Sequence, residues 1–219
     1  MSNIYKILSV CLIFFILSVG KTSASNKDDN FDLWLISFKE NALKEGISQK
    51  TLDLAFKNVI FLEQVIKYDR KQPEFYEDTL TYVSKRANSL RINKARILFK
   101  KNKKLFNEVE NNFLVEKEIL LALWGIETNF GKHVGKMDII SSLATLSFDK
   151  RRSEFFTNEL ITLLKLIDKK IIDPNTLYGS WAGAFGNFQF MPSTIKNYAI
   201  DFDNDEKISL KKTDDSFAS

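Results

Sequence analysis

The sequence predicts a mainly α-helical globular chain, and three observations carry that prediction. From Phe31 onward apolar residues recur at helical spacing, one amphipathic segment after another. No stretch shows a convincing run of alternating strands, and no internal repeat or low-complexity tract interrupts the pattern. Glycine and proline are few, 8 and 3 in 219 residues, so little in the chain breaks a helix. With 44% apolar residues the chain can build one domain around a sizeable core, which excludes a disordered protein.

The N-terminus stands apart. Lys6 precedes an apolar run over 7–19, followed by Thr22-Ser23-Ala24, whose small residues suit signal peptidase. A signal peptide over 1–24 and an exported mature chain from Ser25 are expected. A run of this length is short for a membrane span, and an uncleaved anchor is the alternative. Leu8-Ser9-Val10-Cys11 has the look of a lipidation site, but Val10 is bulky before the cysteine and the apolar run continues past it. Membrane attachment is therefore expected only if the segment stays uncleaved or is lipidated.

Losing that segment removes Cys11, the single cysteine, which excludes a thiol nucleophile, a disulfide and a cysteine metal site. A Ser-His-Asp triad would have to use His133, and a His-rich zinc site is excluded. Of 32 basic and 28 acidic residues, 30 and 28 remain once Lys6 and Lys21 are gone, a net charge of +2. So even a balance gives no argument for nucleic acid.

In order, the spacing predicts a helix over 31–45 stopped by Gly46, then one capped by Ser48 that carries Leu52, Leu54, Ala55 and Phe56. Pro73 is expected to open a helix over 74–87. A long helix over 89–112 is expected to turn Ile92, Ala95, Ile97, Leu98, Leu105, Phe106 and Val109 inward. Its other face carries Arg91, Lys94, Arg96, Lys100, Lys101, Lys103 and Lys104, either a solvated face or a surface that attracts an anionic polymer. Helices follow over 116–129, 138–147 and 152–169, with a loop at Asp173-Pro174-Asn175.

Residues 119–131, ILLALWGIETNFG, place a single carboxylate, Glu127, near the end of an almost wholly apolar run. In a helix it shares a face with Leu120, Leu123 and Trp124. Desolvation there would raise its pKa and let it hold a proton near neutral pH, as a general acid must. The same residues also fit a glutamate at the rim of a buried helix, turned to solvent or to a nearby donor.

Residues 179–192, GSWAGAFGNFQFMP, suit a close-packed turn, because three glycines among aromatics let a ligand approach the backbone. They fit a cleft wall or a tight junction with its phenylalanines in the core. Gln189 needs a partner among apolar neighbours, or meets a substrate hydroxyl or acetamido group.

From Asp201, carboxylates at the first, third and fifth positions (Asp201, Asp203, Asp205) and an oxygen side chain at the ninth (Ser209) have EF-hand loop spacing. Lys207 would contribute its carbonyl. Glu206 stands where glycine eases a positive φ, and Lys212 where a bidentate glutamate closes the shell; Asp215 closes a longer loop over 201–215 instead. Structural Ca2+ binding and a plain acidic turn are both open. No cofactor is expected to be required.

Together, residues 124–131, 144–148, Arg151-Arg152, 179–186 and 189–193 resemble the membrane-bound lytic murein transglycosylase B family. The resemblance implies a lysozyme-like helical catalytic domain over 25–219, exported to the periplasm and acting as a monomer on peptidoglycan glycan strands. It implies Glu127 as catalytic acid/base, with Tyr82, Arg151, Arg152, Ser180 and Gln189 lining the glycan groove. A tyrosine offers a ring to a sugar face, and paired arginines suit lactyl-peptide carboxylates. The bland counterparts are Tyr82 in the core and the arginines bonded to acids such as Glu154. Family members continue past the helix opened at Thr213, so the C-terminal part of the domain is expected to be missing. The implied reaction cleaves the MurNAc-GlcNAc bond with formation of 1,6-anhydromuramic acid ends. A lysozyme-type hydrolase and a non-catalytic glycan-binding protein are the alternatives.

Overall fold

The computed structural model describes residues 25–71 and 77–219. The leader expected at 1–24 and the helix start expected at Pro73 and Glu74 lie outside the described residues. Helix α1 (Ser25–Lys44) buries Phe31, Leu35, Phe38 and Ala42, spaced by three or four residues along one stripe. Gly46 ends it at φ +85°, so that the N–H of Ile47 reaches the Ala42 carbonyl at 3.1 Å and its own N–H reaches Leu43 at 3.0 Å. These are the paired bonds of a Schellman cap. Helix α2 (Gln49–Ala55) is capped by Ser48 as expected.

Three features differ from the sequence reading. A short helix α3 (Glu63–Arg70) has no counterpart in it, because the segment is only 8 residues long and buries only Val65 and Asp69. Helix α4 (Thr79–Arg86) starts at Thr79, where the Asp78 side chain accepts from the Thr81 N–H at 3.0 Å and supplies the cap. The long helix expected over 89–112 is two, α5 (Ser89–Lys101) and α6 (Lys103–Phe113). At the break, Asn102 leaves helical geometry and turns its side-chain amide to the Leu98 carbonyl at 3.0 Å, competing with the backbone ladder.

After α7 (Lys117–Thr128), the chain enters helix α8 (Ile139–Phe148), the hub of the larger core. Nine of its ten residues are buried, so α1, α3 and α9 (Ser153–Asp168) can all pack around it. Its Ser141 and Thr145 hydroxyls accept the N–H groups of Ile60 and Leu62 at 3.3 and 3.0 Å, fastening that segment without a helix of its own. Buried Glu159 of α9 accepts from the N–H and hydroxyl of Ser193, at 2.9 and 2.6 Å, which docks α10 (Pro192–Tyr198).

A smaller core joins α6 and α7 to α11 (Thr213–Ala218): Phe217 meets Phe106 and Trp124 edge-on, with centroids 4.9 and 5.0 Å apart. The strands are minimal. β1 (Met137–Asp138) pairs antiparallel with β2 (Tyr178–Gly179), Met137 opposite Gly179. That ribbon ties the loop after α7 to the glycine-rich stretch. Among the described residues no helix is long and apolar enough to cross a membrane.

Candidate active site

Glu127 sits in the last turn of α7, and the chain leaves that turn on an unusual path: Asn129, Phe130 and Gly131 all take left-handed φ values, +51°, +60° and +74°. The reversal is fastened locally. Asn129 and Phe130 donate to the carbonyls of Gly125 and Trp124, and Gly131 donates to the Thr128 hydroxyl at 3.0 Å. From outside the turn, the Lys94 ammonium donates to the Asn129 carbonyl at 2.9 Å and lies 5.0 Å from the centroid of the Phe130 ring.

The face around Glu127 is less closed than the helical spacing suggested. Trp124 turns into the smaller core, whereas Leu123 and Ile126 are more than 40% exposed. Glu127 itself reaches the surface. Protein atoms still crowd its carboxyl, and this desolvation raises its pKa above the ordinary glutamate value. Among the described residues no hydrogen bond or ion pair engages it. A half-shielded carboxyl without a partner can give and take a proton.

The glycine-rich stretch forms the adjoining wall. Ser180 and Ala184 close a tight turn, the Ser180 N–H donating to the Ala184 carbonyl at 2.8 Å and the Ala184 N–H to the Ser180 hydroxyl at 3.1 Å. At Gly183, φ +90°, a Cβ would stand 2.4 Å from Leu143, so only glycine seats this turn on α8. Gln189, at φ +53°, donates from its amide to the Gly186 carbonyl at 2.9 Å and to the Val134 carbonyl at 3.3 Å. Gly135 lies so close to Gly179 that a Cβ would meet its carbonyl oxygen at 2.0 Å. The loop leaving Glu127 is thereby pressed against Ser180 and hooked by Gln189.

Tyr82 of α4 belongs to a cavity that neither Glu127 nor the 179–192 stretch lines. With Gly125 and Ile126 it lines this cavity of about 800 Å3 between α4, α5 and α7, and Arg86 stacks on its ring at 4.3 Å. Arg91, Arg96, Lys100 and Lys103 from the basic face also line that cavity, so part of this face is not merely solvated.

Arg151 and Arg152 find a partner the sequence did not suggest, Asp69 of α3 and not Glu154. Arg151 Nη1 lies 2.9 Å from Asp69 Oδ2, and Arg152 Nη2 bonds Asp69 Oδ1. Arg70 joins them by bridging Asp69 and Asp149. Asp69 is fully buried while both guanidiniums stay 39–47% exposed, which leaves outward N–H groups for a ligand.

In the acidic loop, carboxylate oxygens of Asp201, Asp203 and Asp215 lie within 4.8 Å of one another. Asp205 is outside that cluster: Lys212 bonds it at 2.7 Å and holds its pKa below the ordinary aspartate value. Glu206 takes φ +67°, the backbone the sixth position of such a loop requires. Lys207 and Ser209 enter through backbone N–H bonds, to Asp205 and to Asp215. Three converging carboxylates fit a hard cation, and the remaining oxygens would come from carbonyls or water.

The family model described as "Transglycosylase SLT domain" matches residues 30–219. The chain belongs to this family. Membrane-bound lytic murein transglycosylase B of Escherichia coli (strain K12) is 47% identical over 97 residues, 44% of this chain and 27% of that protein. SltB3 of Pseudomonas aeruginosa, solved in complex with NAG-NAM-pentapeptide, superposes with a TM-score of 0.82 at 35% identity, over 86% of this chain and 50% of its own. Slt35 of Escherichia coli, solved in complex with calcium, gives 0.74 at 30% identity, over 87% and 60%. The chain thus spans about half the length of SltB3. The mainly α, lysozyme-like fold expected from the sequence is the fold of these relatives.

Proposed function

We propose that residues 25–219 form the catalytic domain of a lytic transglycosylase that cleaves the MurNAc-GlcNAc bond of peptidoglycan, with Glu127 as acid and base. The observation that carries the reading is the Glu127 carboxyl: partly desolvated, exposed and without a hydrogen bond among the described residues, in a helix turn whose next residue, Thr128, bonds the Asn187 carbonyl. Protonated Glu127 gives its proton to the glycosidic oxygen as the bond from muramic acid C1 breaks. The substrate's acetamido group assists departure, and the carboxylate then takes the proton of the C6 hydroxyl as O6 closes on C1. Glu127 ends protonated, no water is consumed, and the product ends in 1,6-anhydromuramic acid.

Ser180, Gln189, Tyr82 and the outward N–H groups of Arg151 and Arg152 line the glycan groove in this reading. The amide oxygen of Gln189 faces no partner among the described residues and suits a sugar hydroxyl. The Asp201, Asp203 and Asp215 cluster takes a structural Ca2+, in keeping with the calcium complex of Slt35. An exported, monomeric protein facing the cell wall follows from the substrate and from the leader pattern at 1–24. Purified protein on peptidoglycan sacculi, with mass spectrometry of the products, tests the function. Anhydro ends are expected; reducing ends would assign a lysozyme-type hydrolase.

A further inference from the structure

Asn187 stands two residues before Gln189, is 3% exposed, and has every polar group engaged. Its Oδ1 accepts from the Trp124 indole N–H at 3.1 Å, and its carbonyl accepts from the Thr128 hydroxyl at 2.9 Å. Its amide nitrogen donates to the carbonyls of Lys211 and Lys212, at 3.1 and 3.3 Å, and to the Ser216 hydroxyl at 3.0 Å. The backbone N–H donates to the Leu210 carbonyl at 2.8 Å. Trp124 and Thr128 flank Glu127 on α7, whereas the remaining partners lead out of the acidic loop into α11.

We propose that Asn187 is a positioning residue for Glu127, tying the end of α7 to the segment between the acidic loop and α11. The proposal rests on Glu127 being the general acid. The chemistry of the tie calls for an amide: one acceptor must face an indole N–H while two donors face carbonyl oxygens and a hydroxyl. Aspartate would set an oxygen against two carbonyls, and leucine would leave buried polar groups unpaired. The tie acts where α7 needs it. After Thr128 the backbone runs through three left-handed residues, and Asn187 also supports that turn, since a Cβ at Gly131 would stand 2.8 Å from its Oδ1. Phe217 pressing on Trp124 from α11 makes the contact two-sided. Without Asn187 the last turn of α7 can rotate, and Glu127 with it, while the groove wall at Ser180 keeps its own turn.

The test compares kcat and KM on soluble, uncrosslinked glycan strands for wild type, Asn187→Ala, Trp124→Phe and the double variant, each corrected for folded fraction. Misplacing a reacting group by an ångström costs up to about a hundredfold, so Asn187→Ala is expected to lose at least about tenfold in kcat with KM within about twofold. Trp124→Phe, which removes the indole N–H together with part of the ring that Phe130 and Phe217 pack on, loses part of this once corrected for folded fraction, and the double variant is no slower than Asn187→Ala. Wild-type kcat in folded Asn187→Ala, or additive losses in the double variant, overturns the proposal. If Asn187→Ala does not fold, Trp124→Phe decides alone: a lowered kcat at unchanged KM supports the tie, and wild-type kcat overturns it. Glu127→Gln runs alongside. Full activity there removes the acid assignment itself, whereas an inactive Glu127→Gln with unaffected Asn187→Ala and Trp124→Phe removes only the positioning role.

Discussion

Lys94 and Asn129 meet at 2.9 Å, ammonium to carbonyl, two residues beyond Glu127. The ammonium is partly desolvated and lies near Lys132 and Arg91, which together lower its pKa from the ordinary lysine value. Between the lowered folded pKa and the unfolded value near 10.5, the unfolded chain binds more protons, so stability rises with pH across that window. Denaturation curves followed through that window up to pH 10.5 are expected to show this rise in wild type. Lys94→Met should lose it; an identical slope in both proteins would place the titration elsewhere.

The Glu127 carboxyl has the opposite sign. Its folded pKa is raised, so its favourable contribution is full below the unfolded pKa and is lost as pH rises through the folded one. Once the pH has risen through the folded pKa, the ionised, crowded carboxylate opposes folding. Glu127→Gln is therefore expected to be at least as stable as wild type there, with the difference closing once the pH falls below the ordinary glutamate range. Turnover should fall by about a hundredfold or more, the usual cost of losing general acid–base catalysis. A variant both less stable and fully active would contradict the assignment on both counts.

The two stretches that carry the proposed site could be singled out because each is local. A lone carboxylate in an apolar helix and glycines among aromatics both announce themselves over a short span of sequence. Asp69 was not legible, since its partners Arg151 and Arg152 arrive 82 and 83 residues later and α3 itself is only 8 residues long. Nor was the break at Asn102, where one side-chain bond overrides an apolar stripe that runs on unbroken. Asn187 left the faintest trace, a single amide between Gly186 and Phe188 whose partners, an indole N–H, a hydroxyl and two backbone carbonyls, lie 24 to 63 residues away. Only the fold shows what it joins.

The arginine cluster yields a stability prediction. Asp69→Asn leaves Arg70, Arg151 and Arg152 facing one another across a neutral, buried amide. Breaking a buried ion pair costs about 3–5 kcal/mol, and the exposed guanidiniums reduce this to about 2 kcal/mol here. Urea denaturation should show a lower midpoint with unchanged slope, and high salt should narrow the gap by stabilising the variant. No change in midpoint would mean that the three arginines are already neutralised by solvent.

In the acidic loop, Lys212 is the competitor to any cation, lying 2.7 Å from Asp205 and 3.6 Å from Asp203. Millimolar calcium is expected to raise the melting temperature of wild type. At a hundredfold excess over its dissociation constant an ion stabilises by about 2.7 kcal/mol. Lys212→Met should enlarge the shift and Asp203→Asn should shrink it. If calcium moves none of the three proteins, the loop is an acidic turn held closed by its own lysine.

Gln189 offers the sharpest separation of groove from scaffold. The left-handed backbone costs Gln189 and alanine alike, so Gln189→Ala adds no strain of its own and removes two hydrogen bonds from a half-buried amide. The stability loss is expected to stay near about 2 kcal/mol. Turnover should suffer more if the proposed groove is right, because the hook on Val134 holds the loop leaving Glu127 and the amide oxygen, without a partner among the described residues, is then left for a sugar hydroxyl. Gln189→Asn distinguishes the two contributions: asparagine accepts the left-handed backbone more readily, yet is one methylene too short to reach both carbonyls. It should therefore recover stability without recovering rate. Melting temperatures and kcat/KM measured on the same preparations check this, and parallel losses in both variants would make Gln189 a structural residue.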